Sequence, residues 1–236
     1  MATLTLVRHG QASFLADDYD RLSSVGELQS SLLGRHWARR KVAFDSVFCG
    51  PRARQSRTAE VAAEAVRAVG GAFPEWVVLD ELDEMRADEV LKRALPELCR
   101  RDARIRDLVA SFEAARARPE AARHFQSLFA TVAAMWVRGE IVETGIEPWA
   151  EFITRVRSGL ARMREGGGRV LAFTSGGPVS AAVQFALGTG DLATLELMWA
   201  VRNASVTEFL FSGDRFSLST FNSIGHLDDP ALSTYR

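Results

Sequence analysis

The chain has 236 residues, 29 Lys and Arg against 30 Asp and Glu, and a hydrophobic fraction of 47%. That balance supports a large apolar core and gives no ground for electrostatic capture of nucleic acid or of an anionic membrane. Two cysteines, Cys49 and Cys99, supply neither a disulfide framework nor metal-ligand spacing. No apolar run approaches the roughly 18 residues of a membrane span, and "MATLTLVRHG" lacks a signal-like apolar stretch, so a reduced, cytoplasmic protein is expected.

In chain order, residues 4–7 ("LTLV") read as a buried strand that stops at Arg8-His9-Gly10. After Leu22, "SSVGELQSSLLGRHWARR" reads as a helix with Leu28, Leu32, Leu33 and Trp37 on one face. The cations Arg35, Arg39, Arg40 and Lys41 suit its last turn, where they complement the helix dipole. A second strand, residues 46–49 ("SVFC"), runs into "CGPRARQSRTAE", and "RTAEVAAEAVRAV" reads as a helix ending at Gly70-Gly71.

From about 89 to 138 the chain turns alanine-, arginine- and leucine-rich and reads as a helical insertion, with Pro96 and Pro119 as its breaks. Inside it, "HFQSLFATVAAMWV" sets Phe125, Leu128, Phe129, Val132, Met135 and Trp136 at helical spacing, which is the mark of core packing. "PWAEFITRVRSGLARM" repeats the period with Trp149, Phe152, Val156, Leu160 and Met163.

A third strand, residues 170–173 ("VLAF"), meets Thr174-Ser175-Gly176-Gly177, and Pro178 fits a first helical turn. "SVTEFLF" and "RFSLSTFN" flank Ser212-Gly213-Asp214 as a hairpin. Short apolar strands separated by helix-length segments predict an α/β fold. The expectation is a three-layer α/β/α sandwich with a mostly parallel central sheet, one domain over residues 1–236.

In such a sheet, ligands bind beyond the carboxyl ends of the strands. His9 stands there beside Arg8, and Gly10 allows close backbone approach. A neutral imidazole is a nucleophile toward phosphorus, and a guanidinium fork neutralises phosphoryl oxygens. Arg54, one turn before Thr58 near a helix start, is a second guanidinium placed for the same crevice.

"LTLVRHGQAS", "YDRLSSVGELQSSLLG", "FCGPRARQSRTAE", "VLAFTSGGPVSAAV", "VRNASVTEFLF" and "FNSIGHL", in that order, resemble the histidine phosphatase superfamily, also called phosphoglycerate mutase-like. The resemblance implies a phosphohistidine on His9, with Arg8 and Arg54 binding the phosphoryl oxygens and a carboxylic acid protonating the leaving oxygen. Glu84 is the preferred acid and Glu81 the alternative. It implies no metal and no other cofactor. The expected partner is a small phosphorylated substrate or a phosphoprotein, and a homodimer is left open.

The family's third strand typically ends Ser-His-Gly, whereas here Ser175 takes the histidine's place. Its hydroxyl can still donate one hydrogen bond, and Gly176 adds a backbone N–H at a helix start. The implied function is therefore a phosphomonoester hydrolase, attenuated by this replacement. A phospho-ligand-binding protein is the alternative. A mutase fits less well, since the chain continues Gln11-Ala12-Ser13-Phe14. A serine-hydrolase elbow fails because Phe173 stands where glycine is needed.

Overall fold

The computed structural model describes residues 1–13, 20–141 and 145–235; Phe14 lies outside them. Six strands, β1 (Ala2–Arg8), β2 (Ser46–Cys49), β3 (Trp76–Val78), β4 (Arg169–Thr174), β5 (Val206–Ser212) and β6 (Arg215–Ser223), form one sheet in the order β3-β2-β4-β1-β5-β6. The first four in that order run parallel, while β5 and β6 are antiparallel additions. The three expected strands and the hairpin are present, and Gly213 at the hairpin turn has φ +56. At three residues, with Val77 and Val78 exposed, β3 is too short for an alternation to be read from sequence.

Eight α-helices lie among the described residues: α1 (Ser24–Arg39), α2 (Ala53–Arg67), α3 (Ala87–Arg101), α4 (Ala103–Ala115), α5 (Ala121–Val137), α6 (Trp149–Arg164), α7 (Gly176–Leu187) and α8 (Asp191–Ala200). None is long and apolar enough to cross a membrane. The period-two alternation of the strands sends Val7, Val47, Cys49, Leu171 and Phe173 to one face, against Leu33 and Trp37 of α1 and Ala59, Ala62 and Val66 of α2. Burial pushes the Cys49 thiol up to about 12, so it is an inert core residue. Beneath the other face, α7 is buried from Gly176 to Gln184, Phe185 packs on Phe216 of β6, and the α6 residue Arg164 lies over the same ring. The result is the three-layer α/β/α arrangement.

Some expectations need correction. Leu28 is 46% exposed, and the buried stripe of α1 is Gly26, Gln29, Ser30, Leu33, Gly34 and Trp37. Small residues are required because α1 and α2 approach closely: a Cβ on Gly34 would lie 2.3 Å from the Ala62 carbonyl oxygen. Pro96 does not break the insertion but sits inside α3; the break falls at Asp102, whose carboxylate accepts from Arg104 N and caps α4. Helix α2 begins at Ala53, earlier than the sequence suggested, so Arg54 and Gln55 occupy its first turn.

The chain divides into two compact units, Met1–Glu84 with Thr154–Arg236, and Met85–Ile153. The second unit holds α3, α4, α5 and the opening of α6, with Trp136 meeting Trp149 edge-on at 5.6 Å and Phe112 against Phe125 at 5.6 Å. The first unit holds the whole sheet and every residue discussed below.

One buried histidine bears on stability. His226 packs against His36 of α1 at 6.2 Å between ring centroids. Burial, and secondarily the charge of His36, lower its pKa to about 4. His36 is itself lowered by burial and by Arg40 and Arg39, with Asp228 opposing. Between pH 6.5 and about 4 the unfolded chain takes a proton at His226 that the folded chain refuses, so stability falls as pH falls through that window. Urea melts should show a loss of about 2 kcal/mol from this site between pH 7.5 and 5. His226→Phe should flatten that slope; an unchanged slope would rule the site out as its source.

Candidate active site

Strands β1, β2 and β4 end side by side, and the turns that follow them carry the candidate site. His9 continues the β1–β4 ladder by donating its N–H to the Thr174 carbonyl at 2.8 Å, while its own carbonyl accepts from Ala204 N and Asn203 Nδ2. Gly10 follows because there is no room for a side chain: a Cβ there would lie 2.5 Å from the Gly26 carbonyl oxygen. Gly10 N donates to Thr58 Oγ1 at 3.0 Å, and Thr58 donates to the Arg54 carbonyl, so the His9 turn is tied to the first turns of α2.

His9 is buried, and its ring is held at both nitrogens. Nδ1 lies 2.7 Å from the Gly10 carbonyl, which can only accept, so the proton resides on Nδ1. Nε2 therefore carries a lone pair, and it accepts from Arg54 Nε at 3.0 Å. Burial first, then the charges of Arg54 and Arg8, hold the imidazole well below the ordinary histidine range. The ring is thus neutral at pH 7, with its Nε2 lone pair engaged by a guanidinium.

Arg54 is also buried; its Nη1 donates to Asp20 Oδ1 at 2.8 Å, and Asp20 Oδ2 accepts from Ala53 N at the start of α2 at 2.9 Å. A carboxylate thus sits where a helix N-terminus and an arginine together favour an anion. Arg8 donates to the Val201 carbonyl, and a Cβ on Gly176 would lie 3.7 Å from Arg8 Nε, which sets this guanidinium beside the start of α7. There the Gly177 N–H is taken by Glu84 Oε1 at 3.0 Å. Ser175, fully buried, is the N-cap residue of α7, and its Oγ accepts from Gln55 Nε2 at 2.8 Å.

The two candidate acids are separated clearly. Glu81 pairs with Arg162 of α6. Burial would raise its pKa, but the hydrogen bond from Arg162, a backbone bond and the charges of Arg162 and Arg155 prevail and hold it below the usual carboxylate range. Glu84 turns to the start of α7, next to Ser175 and Gly176. Asp83 between them binds Arg52 through both oxygens, at 2.5 and 3.2 Å.

The sequence profile of the histidine phosphatase superfamily (branch 1) matches residues 4–224. The chain belongs to this superfamily. No curated protein matches it. Among solved structures, the histidine phosphatase fold is matched by Bacillus stearothermophilus YhfR, at 16% identity and TM-score 0.65, covering 97% of this chain and 100% of that one. The alpha-ribazole phosphatase from Shigella flexneri matches at 21% identity and TM-score 0.59, covering 94% and 96%. A phosphoglycerate mutase from Bacillus anthracis matches at 16% identity and TM-score 0.59, covering 96% and 95%.

Within this superfamily fold, Arg8, His9, Gly10, Arg54, Ser175, Gly176 and Glu84 are gathered at one end of the parallel strands, whereas Glu81 pairs with α6. His226 does not join them: its partner His36 lies ten residues along α1 from Gly26, about 15 Å at 1.5 Å per residue. Asp20, Gln55, Thr58 and Asn203 were not singled out as site residues from sequence. A helix start at Ala53 puts Gln55 in the first turn of α2, which is the signal that could have marked it; nothing in the sequence marks Asp20 or Asn203. The Gly177 N–H at the start of α7 has Glu84 as its acceptor. Among the described residues no group of three His, Cys, Asp or Glu side chains is placed to hold a metal ion.

Proposed function

We propose that the protein is a phosphomonoester hydrolase that works through a phosphohistidine on His9, with a small phosphorylated molecule as substrate. The observation that carries this reading is the neutral, buried imidazole whose Nε2 lone pair faces Arg54. When a phosphoryl group enters, Arg54 exchanges Nε2 and Asp20 for phosphoryl oxygens, and Arg8 neutralises the opposite side. His9 Nε2 forms the N–P bond as the P–O bond to the leaving group breaks. Protonated Glu84 gives its proton to that oxygen. Water then attacks phosphorus, the Glu84 carboxylate takes its proton, and the N–P bond breaks to restore neutral His9. Charge spread over the phosphoryl oxygens makes the two arginines the main electrostatic contribution.

The placement of Glu84 beside Gly176 and Gly177 supports it as the acid over Glu81, whose pairing with Arg162 keeps it ionised and thus without a proton to give. Phosphatase and mutase neighbours are both compatible with the fold, and hydrolysis requires only water as acceptor.

The test is trapping with an aryl phosphate labelled at phosphorus, quenched in alkaline denaturant. The native chain should acquire a phosphoenzyme that is acid-labile and base-stable, as a phosphoramidate is. A chain that neither labels nor turns over any of a broad phosphomonoester panel is not a hydrolase, and the phospho-ligand-binding reading would replace this one.

A further inference from the structure

Gln55 is a fully buried amide in the first turn of α2, and its orientation is determined at both ends. Arg52 N, which can only donate, lies 3.0 Å from Oε1, and the Leu82 carbonyl, which can only accept, lies 3.3 Å from Nε2. Nε2 is therefore the amide atom 2.8 Å from Ser175 Oγ, and Gln55 donates to the serine. The seat for this side chain is shaped around it: a Cβ on Gly50 would lie 2.2 Å from Gln55 Oε1.

The consequence falls on Ser175. A hydroxyl has one hydrogen, and Gln55 cannot receive it. Ser175 makes no capping bond to its own helix, and among the described residues no acceptor takes the hydroxyl hydrogen. The residue before it, Thr174, supplies the carbonyl that holds His9 N, and the residue after it lies beside Arg8. The hydrogen is thus left for a group entering between Arg8 and His9.

We propose that Gln55 is a positioning residue that makes Ser175 an obligatory hydrogen-bond donor to a phosphoryl oxygen. The amide and hydroxyl together form the donor on the third strand-end. The inference rests on the phosphohydrolase reading for the identity of the bound group, and its test uses inorganic phosphate without turnover.

Phosphate affinity is measured by calorimetry for the native chain, Gln55→Met, Ser175→Ala and the double variant, with circular dichroism and melting as fold controls. Ser175→Ala should weaken phosphate roughly tenfold, the worth of one hydrogen bond to a charged group. Gln55→Met should cost a similar factor on its own but less than twofold when added to Ser175→Ala. A merely structural role for Gln55 gives the same loss in both backgrounds, and that result overturns the proposal. Failure of the native chain to bind millimolar phosphate overturns it as well. If Gln55→Met does not fold, Gln55→Glu keeps the volume and the acceptor for Arg52 N; its carboxylate would draw the serine hydrogen inward. The loss must again be larger with Ser175 present than in the Ser175→Ala background. A coupled pair in a chain that never forms phosphoenzyme supports this inference while refuting the hydrolase reading, so the two fail separately.

Discussion

His9→Ala should leave no acid-labile phosphoenzyme and should lower turnover of an aryl phosphate by about 10,000-fold or more. In the proposed mechanism the figure follows from removing the atom that bonds to phosphorus, since the arginine clamp alone can only assist direct attack by water. His9→Asn is the companion variant: it stays closer to the ring in size, keeps a donor for the Gly10 carbonyl, and still lacks a nucleophilic nitrogen. The backbone of the turn is anchored independently of the ring, by Thr174 on one side and by Asn203 and Ala204 on the other. Loss of activity with melting behaviour intact is therefore the expected pattern. Label that persists in either variant would remove His9 from the mechanism.

The pH profile carries the same argument. In the proposed mechanism only the neutral imidazole attacks, and burial, Arg54 and Arg8 keep it neutral well below the ordinary histidine range. As pH falls through 6.5, kcat/KM should hold, once corrected for the ionisation of the substrate phosphate, and should decline only at more acid values. An acid limb at or above 6.5 would mean that the titrating group is not this one.

Much of this site was legible because its central members follow from strand ends. A run such as "LTLV" must stop where the sheet stops, and whatever side chain comes next stands at the sheet's carboxyl edge, which places Arg8 and His9. Ser175 follows in the same way from the third run, and Arg54 from the helix start behind the second. The residues that sequence reasoning passed over are polar side chains buried by convergence. Gln29, for example, replaces an expected apolar contact on α1: its Oε1 accepts from Gln11 N, and its Nε2 donates to Leu232 O and Thr234 Oγ1. Such a clasp joins three distant segments and has no period. The α1 stripe was misread for a related reason. Close helix packing selects glycine and alanine at the contact, while Leu28 lies toward solvent. Asp20 belongs to the same class, since it is fixed by the N-terminus of α2, which is placed only once that helix has its true first residue.

Arg54→Ala should reduce kcat/KM by 100- to 1,000-fold, the usual cost of losing a donor to developing charge in a closed site. It should also move the acid limb. Arg54 is the larger of the two cationic influences that lower His9, after burial, so its removal raises the imidazole pKa back toward 6.5 and carries the limb upward. Arg54→Lys separates the effects. It keeps the charge, and so most of the limb's position, but loses the planar fork that reaches His9 and Asp20 together. Its activity should fall between those of the native chain and Arg54→Ala. A purely structural arginine would lower stability in both variants and leave the limb where it was. Were Arg54→Ala to keep activity within threefold, with the limb unmoved, the pairing of His9 with Arg54 would have no part in the chemistry.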